Sequence, residues 1–298
     1  PEDFDFDALI AAVKSGNVLL YGPPGTGKTK LAKMLASKLE GTDPEIYTAN
    51  SLWFRRDVIG GETIVNGSVQ WKSGFLIRAC NTAGISHRSP YHFIIIDEMN
   101  RADADKAFGD FFTIFSSLNP DDWEVPASLI EEIKSYNERI DEEARNFLKI
   151  CENRDSSKEI LKKLRIIATI NTADINNLYL LGEALLRRFY LIEISCVKPE
   201  KTAEEVNFLI RKNGYTVSDE TKSAFIDFVK NLRSRFESYA QGSDYEKKRL
   251  GEFCISTAAV ERALKMISEM GSVTPDRFPL LLKMSLGTVD DNILKEIG

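Results

Sequence analysis

The run Gly22-Pro23-Pro24-Gly25-Thr26-Gly27-Lys28-Thr29 has the spacing G-x-x-x-x-G-K-[ST] of a loop that cradles phosphate. Its glycines allow the backbone to wrap an anion. N–H groups at the start of a following helix then point at that anion with the positive end of the helix dipole. Lys28 would reach the outer phosphates as a point charge, and the Thr29 hydroxyl would hold Mg²⁺. A second chemical signal is Phe93-Ile94-Ile95-Ile96-Asp97-Glu98, an apolar run ending in two acids. An apolar strand ending in adjacent carboxylates calls for a cation to offset them. Asp97 is therefore assigned to Mg²⁺, through a water, and Glu98 to orienting and polarising an attacking water. Together these two sites predict binding of a nucleoside triphosphate.

The elements needed to position them are legible. Asn17–Tyr21 reads as a short buried strand, and Leu31, Leu35 and Leu39 form one helical face after the loop. Further strands are predicted at Ile46–Ala49, Phe93–Asp97, Arg165–Asn171 and Tyr190–Ile194. Ile94-Ile95-Ile96 and Ile166-Ile167 do not alternate with polar residues, as expected of strands covered on both faces. Strands alternating with helices define a parallel α/β sheet whose ligands bind at the carboxyl ends of the strands. The phosphate loop, Asp97-Glu98 and Asn171 all fall at such ends. After Pro199 strand character stops, and helices are predicted at Ala203–Lys212, Asp219–Ser238 and Thr257–Met270, with a loop at Gln241-Gly242-Ser243-Asp244.

Two insertions interrupt the alternation. Glu62–Val65 and Ser68–Trp71 flank Asn66-Gly67, a hairpin signal. The stretch 119–164 carries one long predicted helix from about Ala127 to Ile150, with Leu129, Ile133, Tyr136, Ile140 and Phe147 as one apolar stripe, read first as buried against the body, with partner binding as the alternative.

In chain order, Gly22–Thr29, Asp97-Glu98-Met99-Asn100-Arg101, Ile170-Asn171-Thr172-Ala173-Asp174 and Ala184-Leu185-Leu186-Arg187-Arg188-Phe189 resemble an AAA+ ATPase. More narrowly they resemble the branch holding MoxR-type, dynein-related and McrB-type modules, in which a hairpin interrupts the second helix. The Asn-Thr-Ala-Asp run is similar to the McrB-type pattern, whose following Arg is replaced by Ile175. Gly60–Trp71 and Lys106-Ala107-Phe108-Gly109 fit MoxR-like relatives at least as well. The resemblance implies a P-loop NTPase doubly wound parallel sheet over residues 1–198, with hairpin insert 61–72 and helical insert 119–164. An all-helical lid would follow over 199–298.

It further implies that Asn171 is a first sensor holding the lytic water or γ-phosphate, although a strand-end Asn is commonly a turn former. One of Arg187 and Arg188, with Arg188 slightly favoured, would be a finger for the neighbouring subunit's γ-phosphate; the plain alternative is charges complementing a helix dipole. Ala258 stands where a second-sensor Arg is expected, and Arg262, one turn on, either substitutes or is an ordinary surface residue. Trp53-Phe54-Arg55-Arg56 sits where relatives grip substrate, yet reads first as core packing for the aromatics and solvated charge for the arginines. The implied activity is hydrolysis of ATP with Mg²⁺ at subunit interfaces of a ring, hexameric by expectation, to remodel a partner protein. The alternatives are a McrB-like GTP-driven motor subunit of a DNA restriction system and a non-hydrolysing scaffold.

The bulk numbers set bounds. The chain has 298 residues and a net charge of −6, against wholesale non-specific nucleic-acid binding. DNA would be engaged only indirectly or through a domain missing from this chain, which begins at Pro1. Cys80, Cys151, Cys196 and Cys254 lack metal spacing and are expected to be reduced, cytoplasmic cysteines. His87 and His92 are read as structural or surface residues. No apolar run approaches the roughly 20 residues of a membrane span, and no signal peptide is visible.

Overall fold

The backbone hydrogen-bonding demand of five short strands is met by one sheet. The computed structural model describes residues 5–85, 89–172, 183–240, 250, 253–288 and 290–298. His87, the Ala173-Asp174 and Ile175 positions and the predicted Gln241–Asp244 loop lie outside these residues. The chain divides into two units: one holds residues up to Tyr21 and Lys28–Glu193, the other Gly22–Gly27 and Ile194–Gly298.

The strands, all in the first unit but for Gly22, are β1 (Val18–Gly22), β2 (Glu45–Thr48), β3 (Gly60–Val65), β4 (Ser68–Ser73), β5 (His92–Asp97), β6 (Leu164–Asn171) and β7 (Tyr190–Glu193). The main sheet runs β2-β5-β6-β1-β7. Its β1–β7, β2–β5 and β5–β6 pairs are parallel. Ile94, Ile95, Ile96, Ile166 and Ile167 are fully buried, as strands covered on both faces must be. Asn17, just before β1, accepts from Ile166 N–H through its side chain (2.9 Å) and from Tyr190 N–H through its carbonyl (2.8 Å). One polar residue thus fixes β1 between its neighbours. The parallel order places the carboxyl ends of β5 and β6 side by side, which sets Asp97 near Asn171.

His92 is structural: its Nδ1 lies 2.7 Å from Glu40 Oε1, and Phe93 N–H donates to the same carboxylate at 2.9 Å. This ties the end of the Lys28–Glu40 helix to the start of β5.

The hairpin forms as the Asn-Gly pair requires. β3 and β4 pair antiparallel, and Asn66 (φ +50°) and Gly67 (φ +76°) both occupy the left-handed region of a type I′ turn. The predicted long helix does not form. It is two helices, Ala127–Ser135 and Glu142–Cys151. Asn137 turns left-handed at φ +53°, and Asp141 caps the second helix by accepting from Ala144 N–H at 2.9 Å. The same carboxylate accepts from Ser73 N–H and Ser73 Oγ–H, both at 2.7 Å, while Trp71 bridges Ile140. Local helical periodicity yields there to pairing with the hairpin.

The second unit is helical after Ile194: Thr202–Asn213, Asp219–Ala240, Thr257–Met270, Phe278–Leu286 and Asp291–Glu296. Its core includes Val206, Phe225, Val229, Val260, Leu264 and Phe278. Arg233, buried there, donates to Glu205 (2.7 Å), Thr202 Oγ (3.1 Å) and the Ile255 carbonyl (2.9 Å). In the same unit Cys196 and Cys254 are joined as a disulfide, which corrects the expectation of four reduced thiols; Cys80 and Cys151 are free. The two partners are 58 residues apart in sequence, a separation carrying no local signal.

Candidate active site

The phosphate loop takes the backbone its glycines permit. Gly22, Gly25 and Gly27 have φ of +146°, +76° and +90°. Thr26 Oγ–H donates to the Pro23 carbonyl at 3.0 Å and closes the turn; Pro24 and Gly25 are exposed. At Gly25 the constraint is double, because a Cβ there would also stand 2.5 Å from Ser256 Oγ. The helix begins at Lys28, so the first N–H groups of that turn lack intrahelical acceptors and carry the positive end of the dipole. Lys28 is 5 % exposed, a buried cation of the kind an anion balances.

A chain of hydrogen bonds joins the strand ends of the first unit. Thr29 Oγ–H donates to Asp97 Oδ1 at 2.6 Å, and Thr169 Oγ–H donates to the same oxygen at 2.7 Å. Thr169 Oγ in turn accepts from Glu98 N–H at 3.0 Å. Glu98 has a left-handed backbone, φ +53°, a strained conformation that clusters at functional sites. Its carboxylate is held from two sides, by Asn171 Nδ2 (3.1 Å) and by Arg101 Nη1 (2.7 Å). Asn100, buried, reaches the Asn171 carbonyl at 3.4 Å.

This donor set fits Mg²⁺. A hydroxyl and a carboxylate oxygen converge, both hard donors, with phosphate oxygens left to complete the shell. Among the described residues no group of three His, Cys, Asp or Glu side chains forms a metal site on its own.

The structure brings Thr29, Asp97, Glu98 and Asn171 into one cluster beside Lys28. Sequence reading missed Thr169 and the roles of Asn100 and Arg101. Thr169 lies two residues before Asn171 on β6, so both face the same side; a polar residue at that offset in an apolar strand was the available signal.

The two arginines differ. Arg187 is 75 % exposed and pairs with Glu183 at 3.1 Å. Arg188 folds back on its own unit, donating to the carbonyls of Ala184 and Phe112 and lying 5.4 Å from the Phe112 ring centroid. In the helical unit, Ala258 N–H donates to the Gly25 carbonyl at 3.3 Å. Arg262 is committed to the Ser285 carbonyl, through Nε at 2.9 Å.

Around Trp53 the expectations split. Trp53 packs against Phe75 and Phe108, but Phe54 is 49 % exposed and not core. Arg56 is exposed. Arg55 is no solvated charge: it donates to Asp110 (2.6 Å) and forks onto Glu132 (3.0 and 2.6 Å).

A parallel α/β sheet with a phosphate loop and an acidic strand end defines a nucleotide-binding protein. The profile of the AAA domain (dynein-related subfamily) matches residues 17–189, and the chain belongs to that family. It is 30% identical over 202 residues to the EcoKMcrB subunit of the type IV methyl-directed restriction enzyme of Escherichia coli K12, covering 66% of this chain and 38% of that one. It is 23% identical over 228 residues to the YdiS component of the Bacillus subtilis type II restriction enzyme BsuMI, covering 67% and 63%. Over 109 residues it is 32% identical to replication factor C small subunit 2 of Pyrobaculum islandicum, covering 35% and 31%. Among solved structures, the FIGL-1 AAA domain in complex with ADP is 19% identical with a TM-score of 0.38, over 94% of this chain and 75% of that one. The chain spans well under half the length of the E. coli relative. Among the described residues no helix is long and apolar enough to cross a membrane.

Proposed function

We propose that this chain hydrolyses a nucleoside triphosphate and works as the motor subunit of a ring acting in a nucleic-acid-processing system. The observation that carries the hydrolytic part is the continuous chain Thr29–Asp97–Thr169–Glu98–Asn171. Lys28 and the loop N–H groups hold the phosphates. Thr29, with Asp97 behind it, would hold Mg²⁺, which would supply charge neutralisation at the phosphates. Glu98 accepts a proton from the attacking water, and Asn171 fixes the carboxylate and that water in line. Thr169 holds the Glu98 backbone and Asp97 in register.

A finger from the neighbouring subunit completes the charge balance, a contribution of ~10³–10⁵ in rate. Arg187 and Arg188 are the candidates, and the exposed Arg187 is the freer to reach out. Ring assembly makes the site dependent on protein concentration. ATP is the first expectation and GTP the alternative.

The names of two relatives, each part of a restriction enzyme, favour delivery of the work to DNA through a partner chain, the McrB-like reading. Remodelling of a partner protein is a second reading. It is favoured by the hairpin, whose Ile64, Val65 and Val69 are exposed at 75 %, 41 % and 41 %. Steady-state phosphate release with ATP or GTP, with and without duplex DNA, tests the proposal. DNA- or partner-stimulated turnover supports it; no turnover of either nucleotide at high protein concentration leaves the scaffold reading.

A further inference from the structure

The phosphate loop is walled, within the helical unit, by two strips of chain. A Cβ on Gly22 would stand 2.2 Å from the Ile194 carbonyl oxygen, and one on Gly25 would stand 2.5 Å from Ser256 Oγ. Ala258 N–H adds its hydrogen bond to the Gly25 carbonyl. Cys196 lies two residues beyond Ile194 and Cys254 two residues before Ser256, and the disulfide joins them with their Cα atoms 6.0 Å apart. That separation is ordinary for a bridged pair. The covalent bond therefore staples the Gly22 wall to the Gly25 wall.

Cys196 and Cys254 are half-buried, and together with Lys198, Phe236 and Phe253 they line a cavity of about 170 Å³. The remaining cysteines offer no competing site. Cys80 is buried and its thiol is pushed far above the usual range by desolvation; Cys151 is pushed up to about 11, also by burial. Neither supplies thiolate near neutral pH.

We propose that Cys196–Cys254 is a reversible thiol–disulfide exchange site whose oxidation state sets how firmly the phosphate loop is held, and so how tightly nucleotide binds. The co-reactant is a dithiol. Its thiolate attacks one sulfur, the Cys196–Cys254 bond breaks, and a mixed disulfide forms. The second thiol of the reagent then resolves it. Two electrons and two protons pass to the protein, leaving two thiols, and the dithiol becomes a disulfide. Reduction does not dismantle the walls. Arg233 still holds the Ile255 carbonyl, Phe253 still packs on Phe236 at 5.5 Å, and Ser256 still caps its helix. What is lost is the cross-link between them, so the loop samples more open backbone states and its affinity falls. The inference rests on the loop being the nucleotide's phosphate cradle.

The test uses the full chain, purified without reductant, before and after dithiothreitol, with three readouts. Thiol titration in denaturant is expected to count Cys80 and Cys151 before treatment and all four cysteines after. Amide exchange of the Gly22–Gly27 peptide, without nucleotide, is expected to quicken by about tenfold on reduction. Affinity for a fluorescent nucleotide is expected to weaken about tenfold, the equivalent of roughly 1.4 kcal/mol. The Cys196→Ser/Cys254→Ser variant should match the reduced protein and ignore reductant. If that variant does not fold, the wild type taken through reduction and reoxidation decides alone. Four titratable thiols before treatment would overturn the proposal. So would unchanged amide exchange after verified reduction. Faster exchange in a protein that binds no nucleotide in either state would instead sink the nucleotide-binding reading and leave the exchange site standing.

Discussion

Thr29 and Asp97, 68 residues apart in sequence, share a hydrogen bond of 2.6 Å. One opens the helix after the phosphate loop and the other closes β5, the strand next to the centre of the sheet. In the proposed reading this contact marks where a cation would be held. Lys28→Ala should cut nucleotide affinity roughly tenfold to hundredfold, the usual range for a lost charge-assisted hydrogen bond. Thr29→Ala should instead leave Mg²⁺-free binding intact and abolish its enhancement by Mg²⁺. Nucleotide titrations with and without Mg²⁺ separate the two; equal behaviour of the variants would dissolve the assignment.

Thr169 is the hinge of the cluster. Thr169→Val preserves shape but leaves Glu98 N–H without its acceptor and removes a donor to Asp97. An unsatisfied buried group costs about 1–3 kcal/mol. Turnover is expected to fall at least tenfold with the KM little changed. Denaturant melting alongside kinetics checks this, and wild-type turnover would show that Glu98 holds its strained backbone without Thr169.

Much of this site was legible because its signals are local. Glycine spacing, a strand of isoleucines and a terminal pair of acids each fit inside eight residues, and strand-end placement follows from parallel topology. Thr169 was missed because its role depends on β5–β6 register, which no window contains. The predicted Ala127–Ile150 helix failed for a similar reason: its stripe is genuinely apolar, but Asn137 and Asp141 break it, and Asp141 is engaged by Ser73 from the hairpin. The Cys196–Cys254 bond and the Arg55 fork onto Glu132 are likewise products of tertiary proximity.

Asp141 serves both a helix cap and the hairpin anchor. Asp141→Ala should therefore destabilise the protein by about 1–3 kcal/mol, more than a cap alone. It should also speed amide exchange in β3–β4 ahead of the main sheet. Uniform exchange across both sheets would argue that the hairpin is held by Trp71 packing alone.

Tyr47 provides a pH signature. Burial first, then its hydrogen bond to Glu45, raises its hydroxyl from 10.0 to about 12. A raised value means the folded state keeps the proton longer. Its stabilising contribution is whole below pH 10 and is lost as pH climbs from 10 towards about 12. Tyr47→Phe retains the stacking on Phe75 and should flatten the alkaline stability profile. A profile as steep as wild type would place the alkaline loss elsewhere.

In the proposed reaction Glu98, steadied by Asn171 and seated on Thr169, activates water. The most direct measurement pairs nucleotide affinity with steady-state phosphate release for wild type and Glu98→Gln at ring-forming concentration. Glu98→Gln is expected to keep wild-type affinity with turnover reduced by ~10²-fold or more, in the range of a lost general base. Turnover undiminished in the variant would contradict it.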